Sequence, residues 1–256
     1  MSSIYSFYDW ADRIKRYFHF SPTELTWITV SILVMSFVAG FKFDSNKEFI
    51  LGSFLSNFSL SIFAVTLAVL VHETAHRLIG LNMGYKTESK PFIYGLVAGV
   101  ILAFMTNGKV MFLAYSGIFL DIMEKHRLGY FRHRLGFFDL GKASLAGPLA
   151  NLFLAAMVKG MGFLPQPLAD KLIMVNVLFA ITNTLPIPPL DGTNIMYASK
   201  TAYPFVLAAI ISCGMLLLVD WLSVWVAITA SIIIGLMTAI LFFNFVEPKL
   251  GKYAGQ

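Results

Sequence analysis

Charged residues are scarce in this chain, and their scarcity narrows the class of protein. Asp, Glu, Lys and Arg make up 13% of the 256 residues, while 57% are hydrophobic and the mean hydropathy is +0.74. An ordinary soluble domain is about 25% charged and about 45–50% apolar. Because a soluble fold of this size could not bury so much apolar surface, the composition predicts an integral membrane protein.

Cysteine is nearly absent, and so are motifs for binding nucleic acid. The single Cys213 excludes a disulfide framework and fits a small apolar position in a helix. The net charge is +5, but no basic stretch carries a nucleic-acid motif, so we expect no nucleic-acid partner. The first residues lack the basic-then-apolar order of a signal peptide, so we do not expect a cleaved one.

Long apolar runs are abundant. A helix needs roughly 20 apolar residues to cross a bilayer core of about 30 Å. We therefore predict an all-α polytopic protein of the cell membrane, with about six transmembrane helices inside a membrane domain at 24–247 and a short C-terminal tail at 248–256. The predicted spans are 24–41, 49–79, 140–163, 168–185, 203–219 and 221–246.

Residues 1–23 form a separate N-terminal segment with an amphipathic pattern. Apolar residues recur at helical spacing from Ile4 to Phe18, while Asp9, Asp12 and Arg13 face elsewhere. This pattern fits a short helix in the membrane interface. It fits equally well an amphipathic helix that packs on the protein, and the sequence leaves both interpretations open.

The stretch 91–120 is apolar but is interrupted by Asn107, Gly108 and Lys109. Asn-Gly between apolar runs is a hairpin signal, and residues 109–116 are rich in strand formers. We predict a small re-entrant β-hairpin or sheet near residues 91–120, with 109–116 as an exposed edge that could hold an unwound substrate. The alternative is one kinked helix.

The distribution of Lys and Arg predicts the orientation in the membrane. With six spans and a cytoplasmic N-terminus, 15 of the 19 basic residues fall in inner segments, including those of the hairpin region. Cytoplasmic loops normally carry this excess. Both termini are therefore predicted to face the cytoplasm. The remaining basic residues are Lys42, Lys47, Lys159 and Lys171.

The motif H-E-x-x-H occurs once, as His72-Glu73-Thr74-Ala75-His76 at the end of the second predicted span. Residues at i and i+4 share a helix face, so both imidazoles can reach one ion. Zinc accepts imidazole nitrogen and keeps a water in catalytic sites. Glu73 is placed to take a proton from that water. The alternative is a pair of hydrogen-bonded interfacial histidines with a snorkelling Glu73.

A third protein ligand is expected among the few remaining acids. Asp191 is the best candidate because Pro186, Pro188 and Pro189 break the helix before it, and a broken backbone at membrane depth normally lines a cavity. Asp191 could instead cap the next helix beside Gly192. We expect the other acids to lie away from the metal. Water can reach Glu24, Asp220 and Glu247 at span ends, and Asp121 opens a charged segment.

These motifs together resemble the site-2 protease family of intramembrane zinc metalloproteases. The resemblance covers about 60–195, and no PDZ-like insertion is visible. It is carried by HETAH, by Gly147-Pro148-Leu149-Ala150-Asn151, and by the later pattern N-x-x-P-x-x-x-x-D-G at Asn183, Pro186, Asp191 and Gly192.

The resemblance implies one zinc ion per chain with His72, His76 and Asp191 as ligands. It also implies that Glu73 is the catalytic base and that Asn183 lies near the scissile carbonyl, within a catalytic core at about 49–195. An amide donor there would stabilise the developing oxyanion, although Asn183 could equally make a polar contact between helices. Asn151 fits close helix packing better than catalysis.

The activity that follows is hydrolysis of peptide bonds within or near the transmembrane segments of membrane-protein substrates, as in regulated intramembrane proteolysis. A prenyl-protein metalloprotease is a weaker match because its third ligand is a downstream Glu. A rhomboid-type serine protease is weaker still because the G-x-S-G context is absent. A transporter or non-proteolytic scaffold with a structural metal is the alternative from another class.

Overall fold

The computed structural model describes residues 7–42, 51–122 and 136–247, which are mostly helical. The predicted tail at 248–256 lies outside the described residues. In chain order the elements are α1 (Phe7–Tyr17), α2 (Pro22–Gly40), α3 (Leu51–Met83), β1 (Tyr85–Pro91), α4 (Ile93–Thr106), β2 (Ser116–Ile122), α5 (Phe137–Met161), α6 (Gln166–Asn183), α7 (Asp191–Ala198), α8 (Tyr203–Leu217) and α9 (Val224–Leu241), which ends in a π-helical turn at Phe242–Val246.

Four helices are long and apolar enough to cross a membrane: Pro22–Gly40, Leu51–Met83, Phe137–Met161 and Val224–Val246. They support the expectation of a membrane protein. The two other predicted spans are also helical, but α8 has only 15 residues and α6 carries Asp170 and Lys171. Length and composition therefore confirm four candidate spans and leave the count of about six as a prediction.

Helix α3, which carries the HETAH motif, lies at the centre of the helices. It packs against α2, α5 and α6, while α8 and α9 pack mainly on each other. Ala64 and Ala68 of α3 are fully buried, and small side chains of this kind let neighbouring helices approach closely. The motif is buried among these helices, with His72, Glu73 and His76 at most 2% exposed.

The predicted small sheet exists, but the predicted hairpin is wrong. Strands β1 and β2 pair antiparallel, with Tyr85 opposite Ile122 and Pro91 opposite Ser116. Helix α4 lies between the two strands, where the hairpin prediction required a strand. A non-helical segment, residues 110–115, then leads back to β2. The alternative of one kinked helix is wrong for the same reason.

The Asn-Gly pair ends a helix instead of turning a hairpin. Asn107 is in the left-handed conformation at φ 55°, and Gly108 follows at φ 70°. The Gly108 N–H donates to the Ala103 carbonyl over 2.8 Å, which satisfies one of the last carbonyls of α4. Asn and Gly favour positive φ in both settings, so the same dipeptide signals either structure.

The return segment 110–115 packs directly on α4. A Cβ on Gly99 would lie 2.6 Å from the Phe112 carbonyl oxygen, and one on Gly95 would lie 2.9 Å from that of Ala114. Leu113 and Ala114 are completely buried. The expectation that 109–116 is an exposed edge is therefore wrong, because helix α4 uses its glycines to enclose this segment.

The strands, helix α4 and the return segment form one unit, residues 85–122. Its tip at Gly108 reaches the C-terminal end of α2. A Cβ on Gly108 would lie 2.0 Å from the Phe41 carbonyl oxygen. At the other end, Phe92 N–H donates to the Tyr115 carbonyl over 2.6 Å. Lys109 therefore lies near Lys42 at the same end of α2, whereas the predicted orientation assigns these two lysines to opposite sides of the membrane. The orientation itself stays a prediction.

Cysteine labelling tests this placement. In a Cys213→Ala background, we expect Lys109→Cys and Lys42→Cys to react with a membrane-impermeant thiol reagent from the same face, because Gly108 meets Phe41. Glu88→Cys, in the exposed part of β1, is expected to react only from the opposite face. If Lys109→Cys and Glu88→Cys react from the same face, residues 85–122 do not cross the membrane.

Helix α1 contacts the protein at the C-terminal end of α3. The Trp10 indole donates to the Leu78 carbonyl over 3.3 Å, and the Arg13 guanidinium donates to the Leu81 carbonyl over 3.2 Å. These carbonyls belong to the last turns of α3, where helix carbonyls lack intrahelical donors. Tyr8 on the same helix is 83% exposed.

Candidate metal centre

The two histidines of the motif meet the distant Asp191 in the interior. His72 and His76 are one helical turn apart on α3, and their rings lie edge to face with centroids 4.5 Å apart. Asp191 Oδ2 lies 3.0 Å from His72 Nε2 and 3.3 Å from His76 Nε2. All three side chains are at most 2% exposed. One ligand atom from each lies within 4.8 Å of the others.

The proline-rich break delivers Asp191 to this position. Asp191 is the first residue of α7, and its side chain makes no helix cap, so the capping interpretation is not what the structure shows. A Cβ on Gly192 would lie 1.9 Å from the Thr184 carbonyl oxygen. The chain therefore folds back tightly on the end of α6, and only glycine fits at the position after Asp191.

The outer nitrogen of each imidazole is held by an oxygen. His72 Nδ1 lies 2.6 Å from Asn151 Oδ1, and His76 Nδ1 lies 2.7 Å from the Ala143 carbonyl. The Asn151 amide nitrogen donates to the Ala68 carbonyl and to Asn176, so its oxygen faces His72. Both Nδ1 atoms must then donate, which leaves each neutral imidazole with a lone pair on Nε2.

Two nitrogen lone pairs and a carboxylate therefore converge in a buried space, and this arrangement favours a cation. His76 Nε2 and Asp191 Oδ1 are buried without a hydrogen-bond partner. The absence of a side chain on Gly147 keeps the space open, since a Cβ there would lie 2.5 Å from His76 Nε2. A donor set of two imidazoles and one carboxylate fits zinc with a free fourth position.

Glu73 lies beside this cluster and is surrounded by hydroxyl groups. Tyr115 and Ser116 Oγ donate to Glu73 Oε1, and Ser89 Oγ donates to Oε2. Strands β1 and β2 and the return segment thus bring one hydroxyl each onto this buried carboxylate.

Asn183 is buried near the end of α6, but its amide is engaged within the chain. Its Nδ2 donates to the Phe179 carbonyl over 2.8 Å and to the Leu113 carbonyl over 3.2 Å. Its Oδ1 is buried without a hydrogen-bond partner. The structure shows Asn183 holding the return segment beside the site, and its contact with a substrate carbonyl stays a prediction.

Several residues of the site were not found from the sequence. Asn151 had been assigned to helix packing, yet it contacts His72 directly from α5. Ser89, Tyr115 and Ser116 had no assigned role. Asn151 was the one with a usable signal, because a polar side chain in an apolar span needs a partner. The hydroxyls carry no such signal, because their contact with Glu73 depends on the register of the sheet.

Removal of the Asn151 side chain tests its role as the support of His72. We expect Asn151→Ala to weaken zinc binding about 10- to 100-fold, because ligand histidines depend on the acceptor behind them. Asn176→Ala removes only the next hydrogen bond in the chain and is expected to have a smaller effect. Competition with a zinc chelator of known affinity measures both. Equal affinities in Asn151→Ala and the unaltered protein would exclude this role.

The described structure defines a mostly helical protein with candidate membrane spans and a buried His–His–Asp cluster. The chain is similar to a curated protein of Methanocaldococcus jannaschii named "Putative zinc metalloprotease MJ0611", with 27% identity over 185 residues. The match covers 70% of this chain and 86% of that protein. No protein-family model matches the chain, and no solved structure matches it.

Proposed function

We propose that this protein is an intramembrane zinc endopeptidase of the site-2 protease type. Its substrates are membrane proteins, cut within or near their transmembrane segments, as in regulated intramembrane proteolysis. The observation that carries the proposal is the meeting of His72, His76 and Asp191 beside Glu73 on a helix long enough to cross the bilayer. The similarity to a protein named as a zinc metalloprotease supports the same activity.

The proposed cofactor is one zinc ion per chain, held by His72 Nε2, His76 Nε2 and a carboxylate oxygen of Asp191. When bound, zinc supplies Lewis acidity, which lowers the pKa of a bound water towards about 7 and polarises a peptide carbonyl. The ligands are prepared for this by Asn151 and Ala143, which fix the orientation of the two rings. Gly147 keeps the ligand atoms free of steric contact.

Glu73 moves the protons of the reaction. Its carboxylate takes a proton from the attacking water and later gives it to the nitrogen of the leaving amine. Tyr115, Ser116 and Ser89 hold the carboxylate in place by hydrogen bonds. Asn183 donates to the substrate carbonyl oxygen when it releases the Leu113 carbonyl, and one such donor contributes about 3 kcal/mol.

The position of the motif along α3 suits an intramembrane site. At 1.5 Å per residue, the 33 residues of α3 extend about 50 Å, well beyond a bilayer core of about 30 Å. His72 lies about 17 Å from the C-terminal end of this helix. We propose six spans, with α6 and α8 crossing among the longer helices, and both termini on the cytoplasmic side, where water reaches the centre.

A substrate must unwind before its scissile bond is accessible, and the sheet offers one edge for the unwound segment. The outer edge of β1 is closed, because Arg77 donates to the Thr87 carbonyl and Ser89 N–H donates to Glu24. The outer edge of β2 is the remaining one. Its first residues are buried, and a Cβ on Gly117 would lie 2.0 Å from the Pro189 carbonyl oxygen. Substrate entry therefore requires the proline-rich break to shift.

The test is a cleavage assay on the full chain purified in detergent. We expect about one zinc per chain and cleavage of a peptide that contains one transmembrane segment. A zinc chelator should stop the cleavage, and added zinc should restore it. A chain that binds zinc but cleaves no transmembrane peptide would contradict the proposal and favour a scaffold or transporter with a structural metal.

A further inference from the structure

A buried ion pair lies one helical turn below Glu73. Arg77 Nη2 donates to Glu24 Oε1 over 2.7 Å, and the two side chains are 5% and 8% exposed. The guanidinium also lies over the Phe20 ring, 4.0 Å from its centroid. The expectation that Glu24 lies in water at a span end is therefore wrong. The apolar setting and the arginine partner keep it inside.

Glu24 joins three separate parts of the chain. It is the third residue of α2 and closes a capping box, with Ser21 N–H donating to Oε2 over 3.0 Å. Its Oε1 accepts from Arg77 of α3 and from the Ser89 N–H of β1, the latter over 2.8 Å. Arg77 binds the same strand again, donating to the Thr87 carbonyl over 2.8 Å. Strand β1 is thus fixed at the Thr87 carbonyl and the Ser89 N–H, two successive groups on the edge that faces away from β2.

The spacing of these contacts aligns β1 with the helix face that carries Glu73. Glu73 and Arg77 are four residues apart on one face of α3, a rise of about 6 Å. Thr87 and Ser89 are two residues apart in a strand, a rise of about 6.6 Å. Because the two rises match, fixing Thr87 beside Arg77 places Ser89 beside Glu73, where its hydroxyl donates to Oε2.

We propose that Glu24 and Arg77 are positioning residues for the reaction. They set the register of β1 against α3, so that Ser89 holds the Glu73 carboxylate in its working orientation. Replacing a buried ion pair by apolar residues of similar volume often costs no stability, so the contribution of this pair is the geometry that it fixes. The inference rests on the proposed function, since it assigns Glu73 the role of catalytic base.

A double-mutant cycle tests the coupling between the ion pair and Ser89. We expect Glu24→Gln and Ser89→Ala each to lower kcat about 10-fold, with KM within about 2-fold and zinc content unchanged, because neither residue binds metal or substrate. The double variant should be no slower than Ser89→Ala alone, since both changes remove one link. Asp12→Asn, which breaks the exposed pair with Arg16, is the matched control and should not change kcat.

If the double variant loses kcat by the product of the two single losses, the proposal is overturned. A change in KM alone, with kcat unaltered, would overturn it as well. If Glu24→Gln does not fold, Arg77→Lys replaces it. Lysine keeps the charge but lacks the two-pronged guanidinium that contacts Glu24 and Thr87 together. We therefore expect the double variant Arg77→Lys, Ser89→Ala to be no slower than Ser89→Ala alone.

Hydrogen exchange gives a measurement that does not depend on proteolysis. We expect the backbone amides of 85–91 to exchange faster in Glu24→Gln and Arg77→Lys, while those of α3 and the zinc content stay as in the unaltered protein. Unchanged exchange in β1 would show that the pair does not position this strand. A chain that fails to cleave any peptide would contradict the proposed function, whereas the exchange result still decides whether the pair holds β1.

Discussion

Gly147→Ala is expected to weaken zinc binding about 100-fold, although it adds a single methyl group. The added Cβ would lie 2.5 Å from His76 Nε2 and 2.6 Å from His72 Cε1, closer than any real contact of this kind. Both rings are buried and fixed by Asn151 and Ala143, so they cannot move aside without losing those contacts. We expect activity to fall together with the affinity for zinc.

A second glycine of the same helix provides the control. Gly160 has no heavy atom within 4 Å of the position of a Cβ, so Gly160→Ala meets open space. Alanine favours the helix over glycine by up to about 1 kcal/mol, and we expect the variant to bind zinc normally and to be at least as stable. Titration of both purified variants with zinc makes the comparison. Normal zinc binding by Gly147→Ala would mean that the ligand atoms do not meet where the structure places them.

Glu73→Gln is expected to separate metal binding from catalysis. Glutamine has nearly the same shape and its oxygen can still accept from Tyr115, but it cannot take a proton from water. We therefore expect the zinc content to stay at about one per chain while kcat falls about 10²- to 10⁴-fold. KM should change little, because Glu73 acts on the water and not on the bound substrate.

Glu88→Gln is the matched control, since Glu88 is an exposed carboxylate on β1. Its removal should leave both zinc content and kcat unaltered. Cleavage of a transmembrane peptide at an undiminished rate by Glu73→Gln would exclude Glu73 as the base. Loss of zinc from the same variant would instead indicate that Glu73 is a zinc ligand. The assignment of His72, His76 and Asp191 as the ligand set would then have to change.

The histidine pair could be predicted because its geometry is local. The spacing of four residues on a helix fixes the relative position of His72 and His76 without reference to the rest of the fold. The prolines before Asp191 gave a physical reason for a carboxylate to face inward. Asp191 lies 119 residues after His72, and no local pattern predicts a contact over that separation. The family resemblance implied the contact.

The failures concern signals with two structural outcomes and contacts between distant elements. Asn107-Gly108 suits a hairpin and a helix end equally, and packing of the return segment on Gly95 and Gly99 decides between them. Glu24 looked like a solvent-exposed helix start, and only the fold brings Arg77 to it. The contacts of the hydroxyls with Glu73 depend on the register of β1 and β2 and on the path of the return segment, and local sequence patterns do not specify either.

The sheet has a different place in this account from the one that its sequence suggested. Both strands and the return segment present hydroxyls to Glu73, and β1 is fixed by the Glu24–Arg77 pair. The same elements lie beside Glu73, and β2 is the edge next to the proline-rich break. In the proposed mechanism, this one small sheet therefore both holds the base and admits the substrate.

X-ray absorption at the zinc edge, measured on the purified chain, tests the central claim most directly. We expect one zinc per chain with two imidazole nitrogens and carboxylate oxygen at about 2.0–2.2 Å, and loss of that spectrum in Asp191→Ala. A chain without zinc, or a spectrum that Asp191→Ala leaves unchanged, would contradict the convergence of His72, His76 and Asp191 on a single metal ion.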